Sequence, residues 1–268
     1  MQDSTSAQFE GTLTPVVPDS IRIGSVPYLN SAPLTEGMEN RCLFLPPSTL
    51  AARLQDGSLD VALVSVTEAL LKPGFQIIDG VAIGSDGPVF SVFLAHRIPL
   101  ETVQCVHLDP ASCTSVSLLK ILLAEQGLYP EVVPLTSYDQ ASAVDAVLLI
   151  GNPAIEFARA PFSYTRLDLG LEWQRQTKLP FIYAVWAVRD AVATTALATE
   201  LREIAARGVA RIPHIIERRS DFDSDFRRAY LGGHIRYTLG PREKAGFERF
   251  RHLLEHHTGS LTYPPRFF

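Results

Sequence analysis

Four strand-like segments that each run directly into a helix start limit most strongly what this 268-residue chain can fold into. Each segment ends near a Ser, Thr or Asn, the residue types that most often cap helices. Strands that alternate with helices predict an α/β fold. In open α/β sheets ligands bind outside the carboxyl ends of the strands, so the junctions predict the walls of a binding cleft. The junctions lie at Asn30/Ser31, Ser65, Thr114/Ser115 and Asn152.

Two of the junctions carry a recognisable helix-start pattern. Ser65 and Glu68 form the S-x-x-E capping box before an apolar run. Asn152 matches an N-cap residue, and Pro153 would then occupy the first helical position, where proline is tolerated best. Helix starts offer unpaired N–H groups and a positive dipole end, and we therefore expect the cleft to bind a small carboxylate. The alternative, for any one of these residues, is that it only caps its own helix.

The order of the elements predicts two lobes joined by two crossings of the chain. Residues 21–100 and 185–268 are expected to form lobe I and residues 101–184 lobe II, because Pro99 marks a break after a β-rich run. The aromatic-rich strand FIYAVWAVR is expected to carry the chain back to lobe I. Residues 1–20 contain neither apolar periodicity nor a signal-peptide pattern, and we expect them to form a disordered, dispensable tail.

Composition and motif content exclude several classes of function. The net charge of -5 and the lack of a dense Lys/Arg run argue against nucleic-acid binding. No window approaches the roughly 20 apolar residues of a membrane span, so no membrane partner is expected. The widely spaced cysteines, 3 in number and without a CxxC pair, are typical of reduced residues in a cytoplasmic protein. Neither a metal nor a cofactor is expected, since the HExxH, GxGxxG and GxxxxGK motifs are missing. The sequence predicts no particular oligomeric state.

The segment IRIGSVPYLNSAPL resembles the N-terminal signature of the chorismate dehydratases of the futalosine route to menaquinone. The likeness continues in order through GSLDVALVSVTEAL, GSDGPVFSVFLAHRIPL, ASCTSVSLLKILL, DAVLLIGNPAIEF, LDLGLEW and LPFIYAVWAVR. It covers roughly residues 20–190, with weaker similarity at YLGGHIRYTLG. Such ordered coverage is more specific than any single motif.

The resemblance implies a two-lobed fold like that of type II periplasmic binding proteins, with a mixed sheet in each lobe and an interlobe cleft. The implied reaction removes water from chorismate to give 3-[(1-carboxyvinyl)oxy]benzoate. Aromatisation supplies the driving force, and a carboxylate of the substrate itself could act as base, so the protein need mainly orient the substrate. The resemblance assigns catalytic roles to Asn30 and Ser91. By their position at the helix starts, the residues expected to line the cleft and bind substrate are Ser31, Ser65, Thr114, Ser115 and Asn152.

Three positions depart from the family pattern. Cys113 stands where an Arg is usual, Asn152 where Asp is usual and Lys178 where Gly is usual. The loss of an Arg removes a fixed cation from the expected cleft, and either Arg97 or Lys178, or the helix start at Thr114/Ser115, would have to compensate. Two other functions stay open, a non-catalytic binding protein for a small anion or aromatic carboxylate, and the related 1,4-dihydroxy-6-naphthoate synthase.

Overall fold

The computed structural model describes residues 20–161 and 163–268. The predicted tail, residues 1–20, lies outside the described residues except for its last residue. The strands are β1 Ile23–Ser25, β2 Cys42–Phe44, β3 Val61–Ser65, β4 Phe75–Ser85, β5 Val92–His96, β6 Cys105–Leu108, β7 Glu131–Pro134, β8 Ala146–Ile150, β9 Thr165–Asp168, β10 Phe181–Arg189 and β11 Arg236–Leu239. The α-helices are α1 Ala32–Thr35, α2 Pro47–Gln55, α3 Val66–Leu71, α4 Thr114–Ala124, α5 Gly151–Arg159, α6 Leu169–Thr177, α7 Thr195–Ala210, α8 Ile212–Arg218, α9 Ser224–Ala229 and α10 Pro241–Thr258.

The strands form two mixed sheets, one in each lobe. The sheet of lobe I has the order β11-β4-β10-β3-β1-β2, and the sheet of lobe II has the order β7-β6-β8-β5-β9. In lobe I, β1 pairs in parallel with β2 and β3, whereas β10 is antiparallel to β3 and β4. In lobe II, β6 is parallel to β7 and β8, whereas β5 is antiparallel to β8 and β9. The predicted α/β fold with a mixed sheet in each lobe is confirmed.

The chain crosses between the sheets at other points than the expected boundaries at 100 and 185. Strand β5 pairs within the sheet of lobe II, although it precedes residue 100. The reason is a sharp turn before it, where Gly87 and Phe90 have φ of 117° and 64°, whereas Pro99 follows β5 and marks only a loop. The returning strand β10 pairs in lobe I from Phe181 onward.

An aromatic cluster packs the lobes together where the chain returns to lobe I. The ring of Trp173 on α6 lies edge-on to Phe181 of β10 and to Phe250 of α10, with centroid distances of 5.2 Å and 6.2 Å. The indole N–H of Trp173 donates to the Pro180 carbonyl at 3.1 Å. Because all three rings are fully buried, the cluster fixes α6 and α10 against the strand that connects the lobes.

Gly208 on α7 allows this helix to pack closely against α1, the helix that follows Asn30. A Cβ added to Gly208 would lie 1.8 Å from the carbonyl oxygen of Pro33 in α1. No side chain fits at that distance, so Gly208 is required for α7 to support α1 and the Asn30 turn that precedes it.

Candidate active site

A cavity of about 90 Å³ lies between the two sheets and is lined by residues of both lobes. Most of the predicted site residues line it, namely Asn30, Ser65, Ser91, Thr114 and Ser115. The cavity is smaller than the roughly 300–1,000 Å³ of ordinary ligand pockets. The free space between the lobes is therefore small, and the cleft must widen to admit a ligand of ordinary size.

The segment that follows β1 presents Asn30 to the cavity. Its 3₁₀ turn, Leu29–Ser31, leads directly into α1. The Asn30 Oδ1 atom is buried without a hydrogen-bond partner among the described residues. Ser31, predicted to bind substrate, does not line the cavity, because its hydroxyl donates to the backbone oxygens of Val26 and Tyr28 at 2.6 Å and 2.8 Å. Ser31 thus fixes the turn that carries Asn30.

Backbone contacts hold Ser91 at the cavity wall. Its carbonyl oxygen accepts a hydrogen bond from the Gly151 N–H at 2.8 Å. The carboxylate of Asp168 accepts from the N–H groups of Val89 and Phe90, at 3.0 Å and 2.8 Å. Burial raises the pKa of Asp168, and hydrogen bonds from backbone N–H groups oppose that shift. Asp168 therefore stabilises the left-handed backbone of Phe90 and with it the position of Ser91.

The side chain of Ser91 contacts a tyrosine that sequence analysis missed. The Tyr230 hydroxyl donates to Ser91 Oγ at 2.7 Å, and each of the two residues is only 1% exposed. Tyr230 lies in the YLGGHIRYTLG segment, whose similarity to the family is weak and in which no motif marks a tyrosine. The contact joins distant parts of the chain, so no local pattern could have predicted it.

Two helix starts face each other across the cavity. Ser65 Oγ accepts from the Glu68 N–H at 3.3 Å, so the predicted cap of α3 is present, and Ser65 also lines the cavity. Thr114 Oγ1 accepts from the Thr67 N–H at 3.1 Å, which links α4 of lobe II to α3 of lobe I. Cys113 occupies the N-cap position of α4 and lines the cavity beside Thr114.

The predicted N-cap at Asn152 was wrong. Helix α5 begins at Gly151, whose φ of 60° makes the change of direction that a capping side chain was expected to make. Gly151 lines the cavity, whereas Asn152 is not among the cavity residues, and its Oδ1 atom is buried without a hydrogen-bond partner among the described residues.

The described residues that line the cavity include no Arg, Lys, His, Asp or Glu. Neither proposed replacement for the missing cation lies there. Arg97 donates to the Ser142 carbonyl and the Tyr164 hydroxyl, and Lys178 ends α6 in a left-handed conformation with φ of 62°. Of the candidates for compensation, only the start of α4 faces the cavity.

The titratable groups that do line the cavity are held protonated. Burial raises the pKa of Tyr28, of Cys113 and of Tyr183, and the nearby carboxylates Asp109, Glu68 and Asp168 act in the same direction on the three groups respectively. None of these side chains is therefore a strong base near neutral pH.

A buried carboxylate lies behind the wall formed by residues 111–113. Asp109 accepts hydrogen bonds from the N–H groups of Ala111 and Ile150 and from the Tyr138 hydroxyl, at 2.9 Å, 3.1 Å and 2.9 Å. Burial raises the pKa of Asp109, and these hydrogen bonds oppose the shift. Asp109 thereby fixes the turn before α4 against the end of β8.

The described residues contain neither a metal-binding cluster nor a membrane-spanning helix. Residues 20–161 and 163–268 contain no group of three or more His, Cys, Asp or Glu side chains arranged to hold a metal ion. Over the same residues, every helix is too short or too polar to cross a membrane.

Comparison with known families identifies the relatives of this chain. A family model described as menaquinone biosynthesis matches residues 21–256. The chain belongs to this family. The matched region extends beyond residues 20–190, where the sequence resembles chorismate dehydratases most clearly, and it includes the segment that carries Tyr230.

Two proteins named chorismate dehydratase are similar to this chain over most of its length. The chorismate dehydratase of Thermus thermophilus is 32% identical over 272 residues, covering 92% of this chain and 97% of that protein. The chorismate dehydratase of Campylobacter jejuni is 25% identical over 230 residues, covering 83% of this chain and 88% of that protein. The resemblance to chorismate dehydratases is thus confirmed.

Solved structures with the same fold have low sequence identity. AF1704 from Archaeoglobus fulgidus superimposes with a TM-score of 0.70 at 18% identity, covering 88% of this chain and 97% of that one. The periplasmic aliphatic sulphonate binding protein SsuA of Escherichia coli gives a TM-score of 0.57 at 16% identity, with 94% of each chain covered. At this identity the likeness shows the fold alone, which is that of the periplasmic binding proteins, as predicted for this family member.

Proposed function

We propose that this protein is a chorismate dehydratase that converts chorismate to 3-[(1-carboxyvinyl)oxy]benzoate and water during menaquinone biosynthesis. The observation that carries the proposal is that Asn30 and Ser91, from different lobes, line one cavity. The kinship with the dehydratase of Thermus thermophilus supports an enzymatic role. We further propose a cytoplasmic location, which is supported by the free thiols of Cys42, Cys105 and Cys113.

The proposed reaction is an elimination that makes a benzene ring. The ring carbon that bears the enolpyruvyl ether loses a proton, the neighbouring carbon loses its hydroxyl, and proton and hydroxyl leave together as water. No histidine or carboxylate side chain lines the described cavity, and the tyrosines and the thiol there have raised pKa values. This supports the hypothesis that a carboxylate of the substrate takes the proton.

Neutral groups bind the substrate in this proposal. Ser91 donates a hydrogen bond to a substrate carboxylate, and Asn30 holds either the substrate's basic carboxylate or the departing hydroxyl. The unpartnered Oδ1 of Asn30 supports the second role, because an oxygen acceptor suits a hydroxyl proton. The start of α4, at Thr114 and Ser115, supplies N–H groups and a positive dipole end for the second carboxylate.

Incubation of the purified protein with chorismate, followed by mass spectrometry, tests the function. We expect the enolpyruvyl-oxybenzoate to accumulate with the parent protein and to fall in step with loss of Asn30 or Ser91. Chorismate that returns unchanged while it protects the protein against thermal unfolding would instead support a non-catalytic binding protein. The described cavity wall contains no cation, and this favours a non-catalytic binding protein if the ligand is less charged than chorismate. Conversion of a naphthoate precursor but not of chorismate would support the 1,4-dihydroxy-6-naphthoate synthase.

A further inference from the structure

Tyr230 lies behind the cavity wall, in contact with Ser91, one of the two residues proposed to be catalytic. It begins a π-helical segment, Tyr230–His234, between α9 and β11 of lobe I. Its ring stacks on Phe226 with a centroid distance of 5.4 Å and an interplanar angle of 16°. Tyr230 is fully buried and is not among the residues that line the cavity. It can therefore act on a ligand only through its neighbours.

The hydrogen bond of Tyr230 has a defined direction. Its hydroxyl donates to Ser91 Oγ at 2.7 Å, and both residues are buried. Asn30 Oδ1, in contrast, has no hydrogen-bond partner among the described residues.

This direction sets what Ser91 offers to the cavity. A serine hydroxyl has one proton and two lone pairs, so a Ser91 that accepts from Tyr230 keeps its own proton for a ligand. Burial raises the pKa of Tyr230, while the neighbouring Ser91 and Asn30 side chains oppose the shift. The phenol therefore stays protonated and remains a donor.

We infer that Tyr230 is a positioning residue that fixes Ser91 as a hydrogen-bond donor toward the substrate. The inference rests on the proposed dehydratase function, because that function gives Ser91 this task. Tyr230 thus orients a site residue without touching the substrate.

A second buried tyrosine supplies a matched control. Tyr237, on β11, is 8% exposed, and its hydroxyl has no hydrogen-bond partner among the described residues. A buried phenol in this lobe therefore does not need a partner to be accommodated. The bond between Tyr230 and Ser91 is a specific arrangement, and Tyr237→Phe removes a hydroxyl of the same kind without breaking one.

A double-mutant cycle with chorismate as substrate tests the inference. We expect Tyr230→Phe to lower kcat roughly 3- to 10-fold, the loss of one neutral hydrogen bond, with little change in KM. In a Ser91→Ala background the same change should have almost no further effect, because the hydroxyl to be oriented is gone. Tyr237→Phe should leave kcat unchanged. An equal loss of kcat from Tyr230→Phe with and without Ser91 would overturn the inference.

An NMR measurement separates this inference from the proposed function. A buried hydroxyl in a hydrogen bond exchanges slowly, and we expect a hydroxyl proton signal that Tyr230→Phe removes and Ser91→Ala shifts. A Tyr230 signal that Ser91→Ala leaves unchanged would overturn the inference even if the parent protein is an active dehydratase. A parent protein that fails to convert chorismate but shows the shifted signal would overturn the proposed function and leave the Tyr230–Ser91 coupling supported.

Discussion

The backbone N–H of Thr67 donates to the Thr114 hydroxyl at 3.1 Å, and this bond joins the starts of α3 and α4 from opposite lobes. Both threonines are nearly fully buried, at 5% and 4% exposed. The bond lies beside the cavity rather than in the aromatic cluster of Trp173, so it reports closure of the lobes over the site.

Replacing Thr114 by Val should weaken this closure. Valine keeps the shape but leaves the buried Thr67 N–H without its partner, which should lower the free energy of unfolding by about 1–3 kcal/mol. Chorismate affinity should fall as well. The bond between Thr67 and Thr114 stabilises only the closed form of the protein, and the variant lacks it. Thr35→Val is the matched control. The Thr35 hydroxyl donates to the carbonyl oxygens of Ser31 and Ala32 in its own turn and so does not join the lobes. Chemical denaturation that gives the same stability for Thr114→Val and the parent would contradict the prediction.

Asn30→Ala should separate activity from stability. The Oδ1 atom of Asn30 makes no hydrogen bond within the described residues, so its removal should change the free energy of unfolding by less than about 1 kcal/mol. Turnover of chorismate should fall by about tenfold or more, which corresponds to about 1.4 kcal/mol in the barrier. Steady-state kinetics and thermal unfolding of the same preparation check this. Comparable turnover in variant and parent would remove Asn30 from the mechanism.

Cys113→Arg should test how the cavity binds a dianion. The start of α4 carries no cation, and the Cys113 thiol stays neutral because burial and the nearby Glu68 raise its pKa. A restored Arg should give similar or higher activity and tighter chorismate binding, by roughly tenfold for a charge-assisted bond. Cys113→Ala, which adds no charge, should behave like the parent.

Calorimetry and product analysis of the three proteins distinguish the possible outcomes. An active parent supports neutral recognition by the helix start. A parent that neither binds nor converts chorismate, beside an Arg variant that binds it, would show that the loss of Arg accompanied a change of ligand.

The acid stability of the protein should depend on Asp60. Hydrogen bonds from the Arg22 side chain and backbone lower the pKa of Asp60, while burial opposes the shift. A lowered folded pKa adds stability above the unfolded value of about 3.9, and that stability is lost as the pH falls through the folded pKa.

The comparison with Asp60→Asn isolates this contribution. The variant should be less stable than the parent at neutral pH, and the difference should shrink on acidification. Asp145→Asn, at an exposed residue 3.9 Å from Arg97, should follow the parent throughout. Parallel stability curves for Asp60→Asn and the parent between pH 6 and pH 3 would contradict the prediction.

Local sequence determined the elements and most of the cavity wall. The capping box at Ser65 forms its helix start, and the apolar run before it forms the buried strand β3, because caps and buried strands depend on neighbouring residues. The segment that carries Asn30 also leads from β1 into a helix, although no side chain caps α1. The resemblance in IRIGSVPYLNSAPL indicated the family that the comparisons later confirmed.

Two predictions from sequence were wrong at turns that depend on backbone conformation. A helix start at Asn152 was expected from a capping side chain, but Gly151 makes the turn through its left-handed backbone. The lobe boundary was expected at Pro99, but the turn at Phe90 is stabilised by Asp168, a residue far along the chain. Proline and asparagine indicate turns in the local sequence. The left-handed conformation of Phe90 depends on a hydrogen bond to the distant Asp168, and no local sequence pattern indicates it.

Only the tertiary structure determined which polar groups meet. Ser91 and Tyr230 lie 139 positions apart and Thr67 and Thr114 lie 47 apart, yet each pair shares a hydrogen bond. The same packing keeps Arg97 and Lys178 away from the cavity and leaves it without a charged side chain among the described residues. Sequence patterns report the nearest neighbours along the chain, whereas the chemistry of this cavity depends on contacts that form only when two lobes close on each other.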